Sequence, residues 1–128
     1  MKEKILIVED NPKNMRLIEM TLQARGYTLL GATDGEEALE MATRLVPDLI
    51  IMDIQLPKMN GLEVTARLKR MPAMASVPVI AITAYAMKGD EEKAFQAGCD
   101  AYLPKPIDTR QLPEVVAALL QGRPEPMP

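Results

Sequence analysis

The amino-acid sequence predicts an α/β fold: a doubly wound parallel sheet of five strands with helices on both faces. Three observations predict it. Short, continuous runs rich in β-branched residues recur along the chain, as in strands buried on both faces. Segments with apolar residues three and four apart, the helical period, lie between them. The two kinds alternate throughout, which gives parallel strands joined by right-handed crossovers. The chain has 128 residues, which suits one domain. Its hydrophobic fraction of 48% can build a core without disulfides or a metal.

The first strand is Ile5-Leu6-Ile7-Val8. Asn11-Pro12 then places a cap residue before a proline at the first helical position. Met15, Ile18 and Leu22 mark that helix, and Gly26 is expected to end it. A weaker run over residues 27–32 is the second strand. Asp34 caps the next helix, marked by Ala38, Ala42, Leu45 and Val46. Leu49-Ile50-Ile51-Met52 is the third strand, and Asn60 caps a helix carrying Val64, Leu68 and Met71. Val79-Ile80-Ala81-Ile82 is the fourth. The segment 89–97, with Asp90 as its cap, is the weakest helix, because its apolar face is only Ala94, Phe95 and Ala97. A helix that buries so little is a candidate for a mobile or partner-facing element. Residues 101–103 form the last strand. Asp108 caps the last helix, with Leu112, Val115, Val116, Leu119 and Leu120. The domain is expected over residues 1–121, followed by a proline-rich tail, 122–128.

Composition excludes much chemistry. The chain has no histidine and one cysteine, Cys99. It therefore cannot hold a Ser-His-Asp triad, a phosphohistidine or a zinc site of His and Cys. Cys99 has no disulfide partner within the chain, which fits a reducing compartment. Lys+Arg 15 against Asp+Glu 18 gives a net charge of −3, with no basic excess for nucleic acid. No apolar run is long enough to span a membrane. Glu9 and Asp10 interrupt the first apolar run, so no signal peptide is read. The expected location is the cytoplasm, with no membrane insertion.

What remains for chemistry stands at the strand ends. The first strand ends in Glu9-Asp10, the third in Asp53, the fourth in Thr83, and the fifth runs into Pro104-Lys105-Pro106. Ligands of open parallel sheets bind beyond the carboxyl ends of the strands, where the strand order reverses. In the flavodoxin-like order 2-1-3-4-5 the reversal lies between strands one and three. Glu9, Asp10 and Asp53 would then face one another, with Thr83 and Lys105 to one side. Three carboxylates in one crevice are tolerable around a divalent cation. Oxygen-only ligands select a hard ion, Mg²⁺ before Zn²⁺. A lysine ammonium and a threonine hydroxyl opposite them can bind phosphate oxygens. Asp53 could be the covalent acceptor, since a carboxylate is a competent nucleophile without a base. Taken singly, each residue has a plainer reading. Glu9 and Asp10 serve equally as helix N-terminal acids, Thr83 as a strand-end hydroxyl, Lys105 as a solvated turn lysine, and Tyr102 as a half-buried strand residue.

Four motifs in order resemble the response-regulator receiver domain, the CheY-like family of two-component and phosphorelay signalling. They are Leu6-Ile7-Val8-Glu9-Asp10-Asn11, Met52-Asp53-Ile54-Gln55-Leu56-Pro57 with Met59-Asn60-Gly61, Ala81-Ile82-Thr83-Ala84, and Tyr102-Leu103-Pro104-Lys105-Pro106. The likeness covers residues 4 to 121, and stand-alone regulators of the DivK type look most similar. The resemblance implies that Asp53 is the phosphoacceptor. It implies that Asp10 ligates Mg²⁺ directly, that Glu9 holds metal-bound water, and that the Gln55 backbone carbonyl is a further ligand. Lys105, Thr83 and the backbone beside the small Ala84 would bind the phosphoryl group, with a cis peptide after Lys105. Thr83 and Tyr102 would be the switch pair. Gln55 and Tyr85, where family members differ most, would tune the phosphoryl lifetime.

The resemblance further implies a switch rather than an enzyme, catalysing only its own phosphorylation and slow autodephosphorylation. With no histidine in the chain, the donor must be a sensor histidine kinase or a histidine phosphotransfer protein. Phosphorylation would alter the surface of the fourth helix, fifth strand and fifth helix, to which a downstream protein partner binds. A weak homodimer is a further partner it allows. The alternative is a small Mg²⁺-dependent aspartyl-phosphate phosphatase of the haloacid dehalogenase type. That family needs a second Asp two residues after the nucleophile, where this chain has Gln55. A flavin module on the same fold would need a phosphate loop after strand one, and Glu9-Asp10 would repel phosphate.

Overall fold

The computed structural model of the chain describes residues 3–84 and 89–122. Five strands alternate with five helices: β1 Lys4–Val8, α1 Pro12–Gln23, β2 Thr28–Ala32, α2 Gly35–Leu45, β3 Leu49–Asp53, α3 Gly61–Arg70, β4 Val79–Thr83, α4 Asp90–Ala97, β5 Ala101–Pro104 and α5 Gln111–Gln121. All strand pairs are parallel, in the order β2-β1-β3-β4-β5. This is the doubly wound, flavodoxin-like arrangement the alternation predicts.

The central strands read as continuous apolar runs because each alternate residue enters a different core. Ile5, Ile7, Leu49, Ile51, Ile80 and Ile82 pack with Ile18 and Leu22 of α1 and Leu112 and Val116 of α5. Leu6, Val8, Ile50, Met52, Val79 and Ala81 pack on the other face with Ala38 and Ala42 of α2, Val64 and Leu68 of α3 and Ala94 of α4. A period of two along each strand thus fills two layers at once.

Strand boundaries move by a residue or so from the apolar runs. β3 and β4 each extend by one polar residue, Asp53 and Thr83, which still pair as Asp53↔Ile82 and Thr83↔Pro104. The caps mostly follow expectation. The Asn11 side chain accepts from the Lys13 and Asn14 N–H groups, Asp34 from Glu37 and Asn60 from Leu62. Four details differ. α1 stops at Gln23, and Gly26, at φ +81°, closes the turn after it. Val46 lies outside α2 as a left-handed cap. α4 starts after Gly89, so Asp90 is a first-turn acid rather than the cap. Asp108 caps the turn leading into α5, accepting from the Arg110 and Gln111 N–H groups. In α4 only Ala94 is buried and Phe95 is 46% exposed, as its thin apolar face predicts. No helix among the described residues is long and apolar enough to cross a membrane.

Candidate functional site

The carboxyl ends of β1, β3, β4 and β5 meet in one crevice. Asp53, the last residue of β3, is 2% exposed. Its Oδ1 accepts the Gln55 N–H at 2.9 Å and its Oδ2 accepts the Lys105 ammonium at 2.9 Å. Glu9 follows β1 and is also buried. Its N–H donates to the Ala32 carbonyl and its Oε2 accepts the Asn11 N–H. Glu9 Oε1 lies 3.0 Å from Lys105 Nζ, as an ion pair without hydrogen-bond geometry. Asp10 stands exposed at the mouth. Glu9, Asp10 and Asp53 each offer a carboxylate oxygen, all within 4.8 Å of one another.

The electrostatics follow from this crowding. Burial, with Asp53 alongside, pushes the Glu9 carboxyl up to about 7. Burial alone would lower the Lys105 ammonium, but Asp53 and Glu9 outweigh it and hold it above its ordinary value. The cluster therefore gathers more negative charge than one lysine balances. Its donors are all hard oxygens, and one buried oxygen, Glu9 Oε1, accepts no hydrogen bond. That set fits a small divalent cation such as Mg²⁺.

Beside the carboxylates, Thr83 ends β4 and is 1% exposed. Its carbonyl accepts the Lys105 N–H at 2.7 Å, which draws the β5 end toward it. The Lys105–Pro106 peptide is cis. The Gln55 side chain spans the crevice: its Nε2 donates to Thr83 Oγ1 at 2.7 Å, and its Oε1 accepts the Ala84 N–H at 3.0 Å. Tyr102 is half-buried on β5, opposite Ala81 in register. Its hydroxyl is buried with no hydrogen bond among the described residues. Burial first, then Asp90, raises its phenol above the ordinary value, and Thr83 acts against them.

The structure thus brings together Glu9, Asp10, Asp53, Gln55, Thr83, Ala84 and Lys105, with Tyr102 on the neighbouring strand. Tyr85 lies outside the described residues. Two contributions escaped the sequence. Gln55 is expected from the sequence as a metal ligand through its backbone carbonyl and as a tuner of lifetime, not as a side-chain bridge to Thr83. Gly61 was visible as part of a motif, but its reason is steric. It opens α3 directly against the Asp53 carbonyl, where a methyl group would collide with backbone.

Comparison with known proteins agrees with this fold. Residues 5–117 match the family model of the response regulator receiver domain. The polar-differentiation response regulator DivK of Brucella anthropi is 48% identical over 120 residues, spanning 94% of this chain and 98% of its own. Among solved structures, the receiver domain of a Pseudomonas aeruginosa sensor histidine kinase, with a magnesium ion coordinated in its active-site cleft, superposes with a TM-score of 0.88. It is 36% identical, with 95% of this chain and 100% of that one covered. The Vibrio cholerae chemotaxis protein CheY4 also gives 0.88, at 26% identity over 93% of this chain and 99% of its own. With the strand order, the acidic crevice and its lysine in place, the chain belongs to the response-regulator receiver family of two-component signalling, CheY-like in fold.

Proposed function

We propose that this chain is a phosphorylation-dependent switch whose phosphoacceptor is Asp53. Receiver domains as a family are phosphorylated, bind Mg²⁺ at an acidic cluster and work with histidine kinases or phosphotransfer proteins. One observation carries the reading here: Asp53 sits among Glu9, Asp10 and Lys105, with carboxylate oxygens within 4.8 Å and the ammonium at 2.9 Å.

Asp10, Asp53 and the Gln55 carbonyl would hold Mg²⁺, with Glu9 holding its water. The cation, when bound, neutralises charge on the incoming phosphoryl oxygens. An Asp53 carboxylate oxygen attacks phosphorus, the phosphorus–nitrogen bond to the donor imidazole breaks, and that nitrogen takes the bonding pair and a proton. Lys105 exchanges its pairing with Asp53 for a phosphoryl oxygen, and Thr83 Oγ1 and the Ala84 N–H supply hydrogen bonds. Positioning and charge neutralisation are most of what phosphoryl transfer needs. Tyr102 follows Thr83, and the α4-β5-α5 surface changes for a protein partner. The receiver domain is assigned to residues 1–121, with 122–128 as a tail and the cytoplasm as the compartment. Gln55 supports this reading over a phosphatase, since its amide cannot act as the second acid.

The test is incubation with a small phosphodonor and Mg²⁺, read by intact mass. A single phosphoryl gain, lost in Asp53→Asn, is expected. A gain that persists in that variant would overturn the assignment.

A further inference from the structure

The phosphoryl group, on the reading above, needs the Thr83 hydroxyl and the Ala84 N–H. Both are already engaged by one side chain. Gln55 Nε2 donates to Thr83 Oγ1 at 2.7 Å, and Gln55 Oε1 accepts the Ala84 N–H at 3.0 Å. The amide orientation is fixed by the chemistry, because only the carbonyl oxygen can accept from Ala84. The same residue's N–H donates to Asp53 Oδ1 at 2.9 Å. Gln55 therefore ties the end of β3 to the end of β4 through two side-chain hydrogen bonds, while its own N–H is anchored on Asp53.

We propose that the Gln55 side chain is a resting-state latch: its amide occupies the Ala84 N–H that a phosphoryl group on Asp53 must take, and it ties Thr83 Oγ1 to Gln55 at the same time. The proposal rests on Asp53 being the phosphoacceptor. Its carbonyl oxygen stands in for a phosphoryl oxygen at the Ala84 N–H. Its amino group donates to Thr83 Oγ1 and so draws that oxygen toward Gln55, while the hydroxyl keeps its own proton to donate. The contact to Ala84 must therefore open before a phosphoryl oxygen can take that single N–H. Gln55 is a positioning residue here, acting on the switch through Thr83 and Ala84 rather than on phosphorus. Two ordinary intramolecular hydrogen bonds correspond to roughly a tenfold bias toward the closed arrangement.

The test compares the wild-type chain with Gln55→Met, similar in length but without the amide, and Gln55→Asn, which keeps the amide but cannot reach both partners. One readout is hydrogen exchange of the Ala84 amide without ligand. The other is the affinity for beryllofluoride with Mg²⁺, a phosphoryl mimic. Both variants are expected to exchange Ala84 faster and to bind beryllofluoride about tenfold more tightly, with amide signals of β1 and β3 unmoved. Unchanged exchange at Ala84 would overturn the latch contact. Faster exchange with unchanged or weaker beryllofluoride affinity would overturn the competition. A wild-type chain that binds no beryllofluoride would overturn the phosphoacceptor reading and the competition with it, while the exchange readout still judges the contact.

Discussion

Gly61→Ala puts the packing behind Asp53 to a test in which two effects have opposite signs. Gly61 is the first residue of α3, and its φ is not in the left-handed region. At such a position alanine usually stabilises, by about 0.4–1 kcal/mol, because the unfolded chain loses freedom. Here the added methyl would lie 2.9 Å from Ile54 Cα and 3.0 Å from the Asp53 carbonyl carbon, and closer still to the Asp53 carbonyl oxygen. These are backbone atoms and cannot rotate away. The strand is held by its ladder to Ile82 and the helix start by the Gly61 N–H to the Ile54 carbonyl at 2.9 Å. Overpacking of this kind costs about 1–3 kcal/mol or more. The net expectation is a loss of at least about 1 kcal/mol. For a chain of this length each kcal/mol lowers Tm by about 4 °C. Gly122→Ala is the control, since its nearest neighbour, the Ala118 carbonyl oxygen, is 3.4 Å away and its φ is −78°. It should be neutral within about 0.5 kcal/mol. Urea unfolding followed by far-UV circular dichroism measures both. A Gly61→Ala chain as stable as the wild type would refute the steric argument.

Three other outcomes follow from the site and the core. Mg²⁺ at a hundredfold its Kd should stabilise the fold by about 2.7 kcal/mol, or about 10 °C in Tm, by mass action; a wild-type Tm indifferent to Mg²⁺, or an equal shift in Asp10→Asn, would contradict the acidic cluster as its site. Lys105→Met leaves Glu9 and Asp53 facing each other without a cation, which should cost about 1–3 kcal/mol in metal-free urea titrations, with Mg²⁺ recovering most of it; equal losses with and without Mg²⁺ would count against charge compensation. Burial pushes the Cys99 thiol from 9.0 up to about 11. The folded chain keeps that proton between those values while the unfolded chain loses it, so stability should fall by about 2–3 kcal/mol as pH rises from 9 to 11. Cys99→Ala should make that slope shallower without abolishing it, because Tyr102 and Lys105 also hold their protons above their ordinary values, and an unchanged slope would sink the assignment.

The fold was legible because its signals are local. Leu6, Val8, Ile50 and Met52 alternate with Ile5, Ile7, Leu49 and Ile51 between two cores, and that demand leaves unbroken apolar runs in the sequence. Asp34 and Asn60 show as caps because the side chain reaches N–H groups only two or three residues on. Val46 did not show, because an apolar residue in a left-handed cap continues the helical spacing it actually ends. The site residues Glu9, Asp53, Thr83 and Lys105 were readable as polar residues closing apolar strands, where topology alone brings them together. The Gln55 bridge was not. It joins residues 28 and 29 positions apart through side-chain reach, and nothing in spacing encodes that. Gly61 carries a motif but no local turn requirement, since its constraint comes from the backbone of Asp53 and Ile54, eight and seven residues earlier.

The most direct measurement is the location of the phosphoryl group. The chain is loaded with a small phosphodonor and Mg²⁺, the acyl phosphate is trapped by borohydride reduction, and the modified peptide is sequenced by mass spectrometry. A single reduced residue, Asp53, is predicted. Modification at Glu9 or Asp10, or no modification under conditions where the chain is folded and Mg²⁺ is bound, would contradict it.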